Sequence, residues 1–235
     1  MTNLAPDILC IQELNIAWHN LEADQKLHER TEGWFPATRT VCAWNQHHKG
    51  SETHVYGGTA IIIKGNSVGR IGKTGKDQSG LGRWCWTQLR GFGGRSLTVV
   101  SAYRPVNNPS YASSVWSQQK TYFDEQSPPR LVNPCSAFLS DLVQEISPIH
   151  ATGSQIVLCM DANEKTMHLN NNIIEQAFAQ LGLTDIILTN HNRHHAPATT
   201  LTGSRPVDTI MTGTTLSSCP SGYLPIPHFT DHRPL

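Results

Sequence analysis

The 235-residue chain is 38% hydrophobic and 15% charged, which suits a soluble globular protein, and no run approaches the roughly 18 apolar residues of a membrane span. Lysine plus arginine and aspartate plus glutamate both total 18, so the net charge is zero and no global basic field advertises nucleic-acid binding. A nuclease needs only a local basic rim, and Arg83, Arg90, Arg95, Arg104, Arg205 and Arg233 fall in or beside candidate strands and loops. The N-terminus has no basic stretch leading into an apolar one, so no secretory leader is expected. Six scattered cysteines without C-x-x-C spacing argue against a zinc ribbon or a thioredoxin-like pair, and Cys10 and Cys159 read as small buried hydrophobes. The expected setting is intracellular, nucleus or cytoplasm, and reducing.

In chain order, Asp7 to Gln12 predicts a strand buried on both faces. Residues Ile16 to Glu32 carry apolar side chains at Ile16, Trp18, Leu21 and Leu27 and predict an amphipathic helix closed near Gly33. Strands follow at Thr38 to Trp44 and Gly57 to Ile63, the second opening on paired glycines that allow close backbone approach. Gly65 to Gly82, rich in Gly, Lys and Ser, reads as a surface loop or weak hairpin. Arg83 to Arg90 and Ser96 to Tyr103 flank the glycine-rich Gly91 to Gly94 and predict an antiparallel hairpin. Pro105 to Pro134 reads as a long loop with one short helix. Helical spacing returns at Ala137 to Ile146 and at Asn172 to Leu181, the latter with Asn171 or Asn172 as N-cap and Gly182 as stop, and a strand from Gln155 to Met160 lies between them. Short runs at Asp185 to Leu188, Pro206 to Met211 and Pro227 to Leu235 close the chain. Strands outnumber helices, and hairpins mix with helical crossovers. The expected fold is a single α/β domain over 1–235, a two-sheet β-sandwich flanked by helices on both outer faces in four αββα layers.

Five of these strand ends carry polar groups: Glu13, Tyr103, Asp161 with Asn163, Asp208, and Asp231 with His232. Phosphodiester hydrolysis needs a hard cation on the phosphate oxygens, an in-line water and donors for the developing charge. Glu13 suits a Mg²⁺ ligand, with Mn²⁺ as the alternative ion, and Asp231 is placed to approach the same metal. Asp161 would orient or deprotonate the water, and Asn163 would donate its amide hydrogen to a phosphate oxygen. His232 would face the phosphate, held in its charged form by Asp208. Tyr103 supplies a phenolic donor, and Arg104 a positive charge beside it.

The stretches Pro6 to Glu13, Tyr56 to Ile61, Val99 to Pro105, Val157 to Asn163, Ser204 to Ile210 and Thr230 to Pro234 together resemble the endonuclease/exonuclease/phosphatase family. They occur in family order and cover nearly the whole chain. The resemblance implies a Mg²⁺-dependent phosphoesterase with Glu13 on the metal, Asp161 and Asn163 at the water and phosphate, Asp208 paired with His232, and Asp231 near the metal. Short connections, the Gly-Gly-Thr-Ala-Ile strand and the lack of a Trp-Cys signature near Asp208 look most like retroelement-type endonucleases acting on DNA, and Ser114 to Gln119 loosely matches such elements too. No membrane or obligate protein partner is expected. The family core begins with a strand ending in Asn that helps hold phosphate and metal. This chain starts after it and stops at its last core strand, so it is expected to be a truncated domain, either a fragment of a longer reading frame or a decayed copy.

His47-His48 and the run from His191 to His195 lie in polar loops without Cys or carboxylate at ligand spacing, so they are read as surface residues, the second as part of a substrate rim. Among the six tryptophans, Trp84 and Trp86 share a strand face by period two, and Trp116 in the long loop is the candidate for nucleic-acid contact. A phosphomonoesterase or RNA deadenylase, and a catalytically silent remnant, are the competing readings.

Overall fold

The computed structural model describes residues 6–47, 55–110, 113–164, 172–191, 196–216, 220–225 and 230–235. Its strands form two sheets, of three and six strands, with helices: an α/β sandwich. By compactness the chain divides into two units, 1–103 and 104–235.

In the first unit, β1 (Ile8–Gln12), β2 (Thr38–Ala43) and β3 (Thr59–Lys64) pair antiparallel in the order β1-β3-β2. The central β3, TAIIIK, is apolar on both faces, and Ala60, Ile61 and Ile63 are fully buried. β4 (Ile71–Lys76), β5 (Trp84–Arg90) and β6 (Ser96–Tyr103) form an antiparallel meander. Between the two sets, Ile61, Ile63, Ala43 and Cys85 make a core that Ile8, half-buried Cys10, Val41 and Ile71 extend. Cys85 contributes as a small hydrophobe, since burial pushes its thiol up to about 12.

Two sequence expectations change here. Residues 65–76 of the 65–82 segment are regular: a 3₁₀ turn at Gly65–Arg70 leads into β4, which pairs with β5 despite its glycines. The ring of Trp86 lies against Gly75, where an added Cβ would sit 2.4 Å from it, so the glycine is what lets the indole cover the neighbouring strand. The single helix expected over 16–32 is instead two 3₁₀ turns, Trp18–Asn20 and Ala23–Gln25, followed by α1 (Leu27–Trp34), which runs through Gly33. The apolar residues at 16, 18, 21 and 27 do not hold one 3.6-residue stripe. Instead Trp18 turns inward and stacks on Trp44, with ring centroids 5.1 Å apart.

In the second unit, β7 (Gln155–Asp161), β9 (Asp208–Gly213) and β8 (Leu183–Asp185) pair antiparallel in the order β7-β9-β8. The long loop contains α2 (Val115–Asp124), capped by Ser114, whose hydroxyl accepts from Ser117 N at 3.2 Å. α3 spans Pro134–Ala151, longer than the periodicity alone predicted. Pro134 opens it after the Asn133 cap, and Phe138, Leu142 and Ile146 at four-residue spacing are completely buried. α4 (Ile173–Phe178) starts at the predicted Asn172, whose side chain accepts from Ile174 N and Glu175 N, and Gly182 ends the following turn in left-handed geometry. The run at Asp185 to Leu188 takes the end of β8 into α5 (Ile186–Asn190), which Asp185 caps by accepting from Leu188 N at 2.9 Å. Burial raises Asp185 to about 6, against hydrogen bonds from the Thr209 hydroxyl and Leu188 N. Among the described closing residues, 230–235, there is no strand: His232 makes an isolated bridge to Thr200.

Candidate active site

Each unit presents a cluster of the predicted residues at strand ends. In the first, Glu13 follows β1 with φ 52, and Asn15 follows at φ 50. Asn15 holds this turn by exchanging hydrogen bonds with Gly57, N to O at 2.9 Å and side-chain oxygen from Gly57 N at 2.8 Å. Gly58 at φ 91 comes so close to Ala43 O that a Cβ there would stand 3.2 Å away. That contact gives the paired glycines their reason. Tyr103 ends β6 and is buried, and its hydroxyl donates to Oε1 of Glu13. Its phenolic hydrogen is thus committed to the carboxylate it orients. Beneath them, Gln12 donates to the Ser101 hydroxyl at 3.0 Å, and Ser101 donates to Ile11 O at 3.0 Å, fixing β1 against β6.

In the second unit, Asp161 ends β7 directly opposite Asp208, the first residue of β9. Asp161 is buried, and one of its oxygens accepts from Asn163 N at 3.1 Å. Asn163 takes φ 47, and its amide donates to Arg104 O at 2.8 Å, so one of its two N–H groups is already used internally. Among described non-glycine residues, only Glu13, Asn15, Ala37 and Asn163 have positive φ. Two of the four are predicted site residues, which fits the tendency of strained backbone to cluster where function requires it.

His232 Nδ1 lies 2.9 Å from Asp208 Oδ2, as expected. The Asp208 carboxylate raises the imidazole to about 9 through that hydrogen bond, against partial burial, and the charges of Asp161 and Asp231 push the same way. The charged form therefore dominates at neutral pH. The ligand atoms of Asp161 and His232 lie within 4.8 Å of one another. The Asp231 side chain is exposed, while its backbone oxygen accepts from Leu201 N at 2.8 Å.

Sequence reading missed the residue that holds this dyad, Thr199. Its hydroxyl accepts from Val207 N at 2.9 Å and Asp208 N at 3.2 Å, and its carbonyl accepts from Arg233 N at 2.6 Å. Thr200 bridges His232, and the Thr230 hydroxyl accepts from His232 N at 3.1 Å. One short segment thus fixes both the strand carrying Asp208 and the tail carrying His232. Nothing in a polar Ala-Thr-Thr run announces such a clamp. Thr199→Val should leave two N–H groups without that acceptor and lower stability by about 1–3 kcal/mol in urea unfolding; an unchanged midpoint would contradict the clamp.

Several candidates prove structural. Arg104 is buried and bonds to Cys135 O, Ala162 O and Glu164, so it braces the loop after β7 instead of offering charge to a substrate. Arg83 is buried in a bidentate pair with Asp77, Nε to Oδ2 at 2.7 Å. Arg233 donates to Ala198 O and Leu224 O. The indole nitrogen of Trp116 is buried. A ring nitrogen of His47 bonds to Ser79 O at 2.7 Å, and His191 packs against Tyr223, both surface-structural roles; His48, His194, His195 and Cys219 lie outside the described residues.

No protein-family model and no curated protein matches the sequence. Solved structures do match. The catalytic domain of Xenopus laevis APE2 aligns over 96% of this chain and 81% of its own, at 15% identity and a TM-score of 0.67. A 3′-5′ exonuclease, NExo, from Neisseria meningitidis aligns over 98% and 88%, at 16% identity and 0.63. An endonuclease/exonuclease/phosphatase family protein from Leptotrichia buccalis aligns over 88% and 75%, at 13% identity and 0.54. The chain has the endonuclease/exonuclease/phosphatase fold. Within that fold Glu13, Tyr103, Asp161 and Asp208 sit at or beside strand ends, Glu13 is tied to Tyr103, and His232, outside any strand, is tied to Asp208. The Asp161 carboxylate suits a hard divalent cation in kind, and the nearby ligand atom in its own unit is on His232, not on the exposed Asp231.

Proposed function

We propose that the chain is a divalent-metal-dependent phosphoester hydrolase, and specifically an endonuclease of retroelement type that cuts DNA. The observation that carries this reading is the His232–Asp208 pair, which keeps an imidazolium beside the buried Asp161 carboxylate. The proteins sharing the fold, an APE2 catalytic domain and a 3′-5′ exonuclease among them, support phosphoester chemistry. The glycine-opened β3 and the short connections favour the retroelement type.

In this reading all of residues 1–235 serve one catalytic domain, and Glu13 with Asp231 hold the metal. Bound there, Mg²⁺ would neutralise phosphate oxygens during attack. Tyr103 fixes the Glu13 carboxylate. Asp161 accepts the proton of the attacking water, and the remaining amide hydrogen of Asn163 donates to a phosphate oxygen. His232, charged and held by Asp208, donates to the oxygen on which negative charge accumulates as the phosphorus–oxygen bond to the leaving alkoxide breaks.

A substrate panel tests the reading. Supercoiled plasmid, polyadenylate and soluble inositol phosphates are each incubated with the protein in Mg²⁺ and in EDTA. Mg²⁺-dependent plasmid nicking is expected. Phosphate release from inositol phosphates, or shortening of polyadenylate, with intact plasmid would replace the endonuclease by a phosphatase or deadenylase.

A further inference from the structure

We infer a second nucleic-acid contact, at the end of the β4-β5-β6 meander remote from Glu13 and Tyr103, that grips a single strand. The inference rests on the nucleic-acid reading above, but on different residues. Residues 64–103 hold seven of the 18 basic residues and one of the 18 acidic ones, Asp77. Asp77 is buried and committed to Arg83 near the start of β5, so it does not offset the surface cations of this segment.

Four of those cations stand at this end of the meander. Arg90 stands opposite Ser96 at the hairpin end, and Arg95 immediately precedes that residue. The Arg90 guanidinium reaches back to Ile71 O at 3.4 Å, which brings it beside Arg70 and the start of β4. Lys73 pairs with Gln88, and Gln88 and Arg90 share a strand face by period two. All four side chains are exposed. At their tip Phe92 is 92% exposed, between Gly91 and the left-handed Gly93 and Gly94, on a turn closed by Gly91 N to Arg95 O at 2.7 Å.

Surfaces without a polyanionic partner intersperse both charge signs and seldom display a bare aromatic. Cations that track phosphates around an aromatic platform are the elements of sequence-tolerant single-strand binding. From Tyr103 to this tip β6 runs eight residues, roughly 25 Å at about 3.3 Å each. A strand held at the tip is therefore a separate contact from the reacting phosphate, suited to retaining a displaced or nicked strand.

The test is fluorescence anisotropy in EDTA with a labelled 30-nucleotide single strand and the corresponding duplex, across a salt series. Arg70→Glu/Arg95→Glu leaves the Arg90–Ile71 contact intact and should weaken single-strand binding at least tenfold and flatten the log–log salt slope by about 1.4, near 0.7 per lost phosphate contact on a single strand. Phe92→Ala should weaken the single strand roughly tenfold and the duplex little. Unchanged affinity and slope in the double variant would overturn the inference, as would no single-strand binding by the unaltered protein, or binding to phosphatidylserine vesicles in its place. Equal loss on both probes with Phe92→Ala would overturn the stacking role. Because no metal is present, failure here is separable from failure of the hydrolase reading: Asp161→Asn should bind like the unaltered protein while losing cleavage.

Discussion

His232→Ala is expected to lower kcat for phosphodiester cleavage by on the order of 10²–10³-fold, with KM little changed, because the lost hydrogen bond strengthens only as charge moves onto the phosphate. The dyad geometry carries this expectation. Nδ1 is occupied by Asp208, so the ring presents its other nitrogen outward, and the raised basicity keeps both nitrogens protonated at neutral pH. Steady-state kinetics on a nicked-plasmid assay give the number. A loss under tenfold would remove His232 from the reacting centre.

The pH profile of Asp208→Asn is the second large effect. In the unaltered protein the imidazole is raised to about 9, first by the hydrogen bond it donates to Asp208, so activity should hold through neutrality and fall as pH rises through that value. With a neutral amide at 208 the falling limb should move toward the ordinary histidine value of about 6.5. Stability follows the same sign. The folded value lies above the unfolded one, so the pair's contribution is fully present below about pH 6.5 and is lost as pH climbs through about 9. Thermal unfolding between pH 6 and 9.5 should therefore slope downward in the unaltered protein more than in Asp208→Asn. Parallel curves, or an unmoved activity limb, would mean that the pair does not set the charge of the ring.

Most of the proposed site residues were legible in the sequence because they stand at or beside strand ends. A short continuous apolar run announces the strand, and the polar residue that interrupts it marks where side chains turn to solvent. Glu13, Asp161 and Asp208 were all found this way. The pairing of His232 with Asp208 came from chemistry, since a lone histidine near a carboxylate has a known preferred partner. What escaped was tertiary. Thr199 acts through its hydroxyl and carbonyl on backbone groups distant in sequence, and neither periodicity nor spacing records that. Strand β4 was hidden by glycines that locally disfavour extension and are offset by the Trp86 ring packed over Gly75. The helix predicted over 16–32 broke into shorter turns, in which Trp18 packs inward on Trp44. Arg104 looked like a substrate charge because it follows Tyr103, yet burial turns it into a brace for the loop carrying Asn163.

The central claim, that Glu13 and Asp161 are both needed for a metal-assisted hydrolysis, is tested most directly by plasmid nicking in Mg²⁺ with Glu13→Gln and Asp161→Asn. Both should remove at least roughly 99% of the nicking seen with the unaltered protein, and EDTA should abolish that nicking. Nicking that survives either substitution or EDTA would contradict the account.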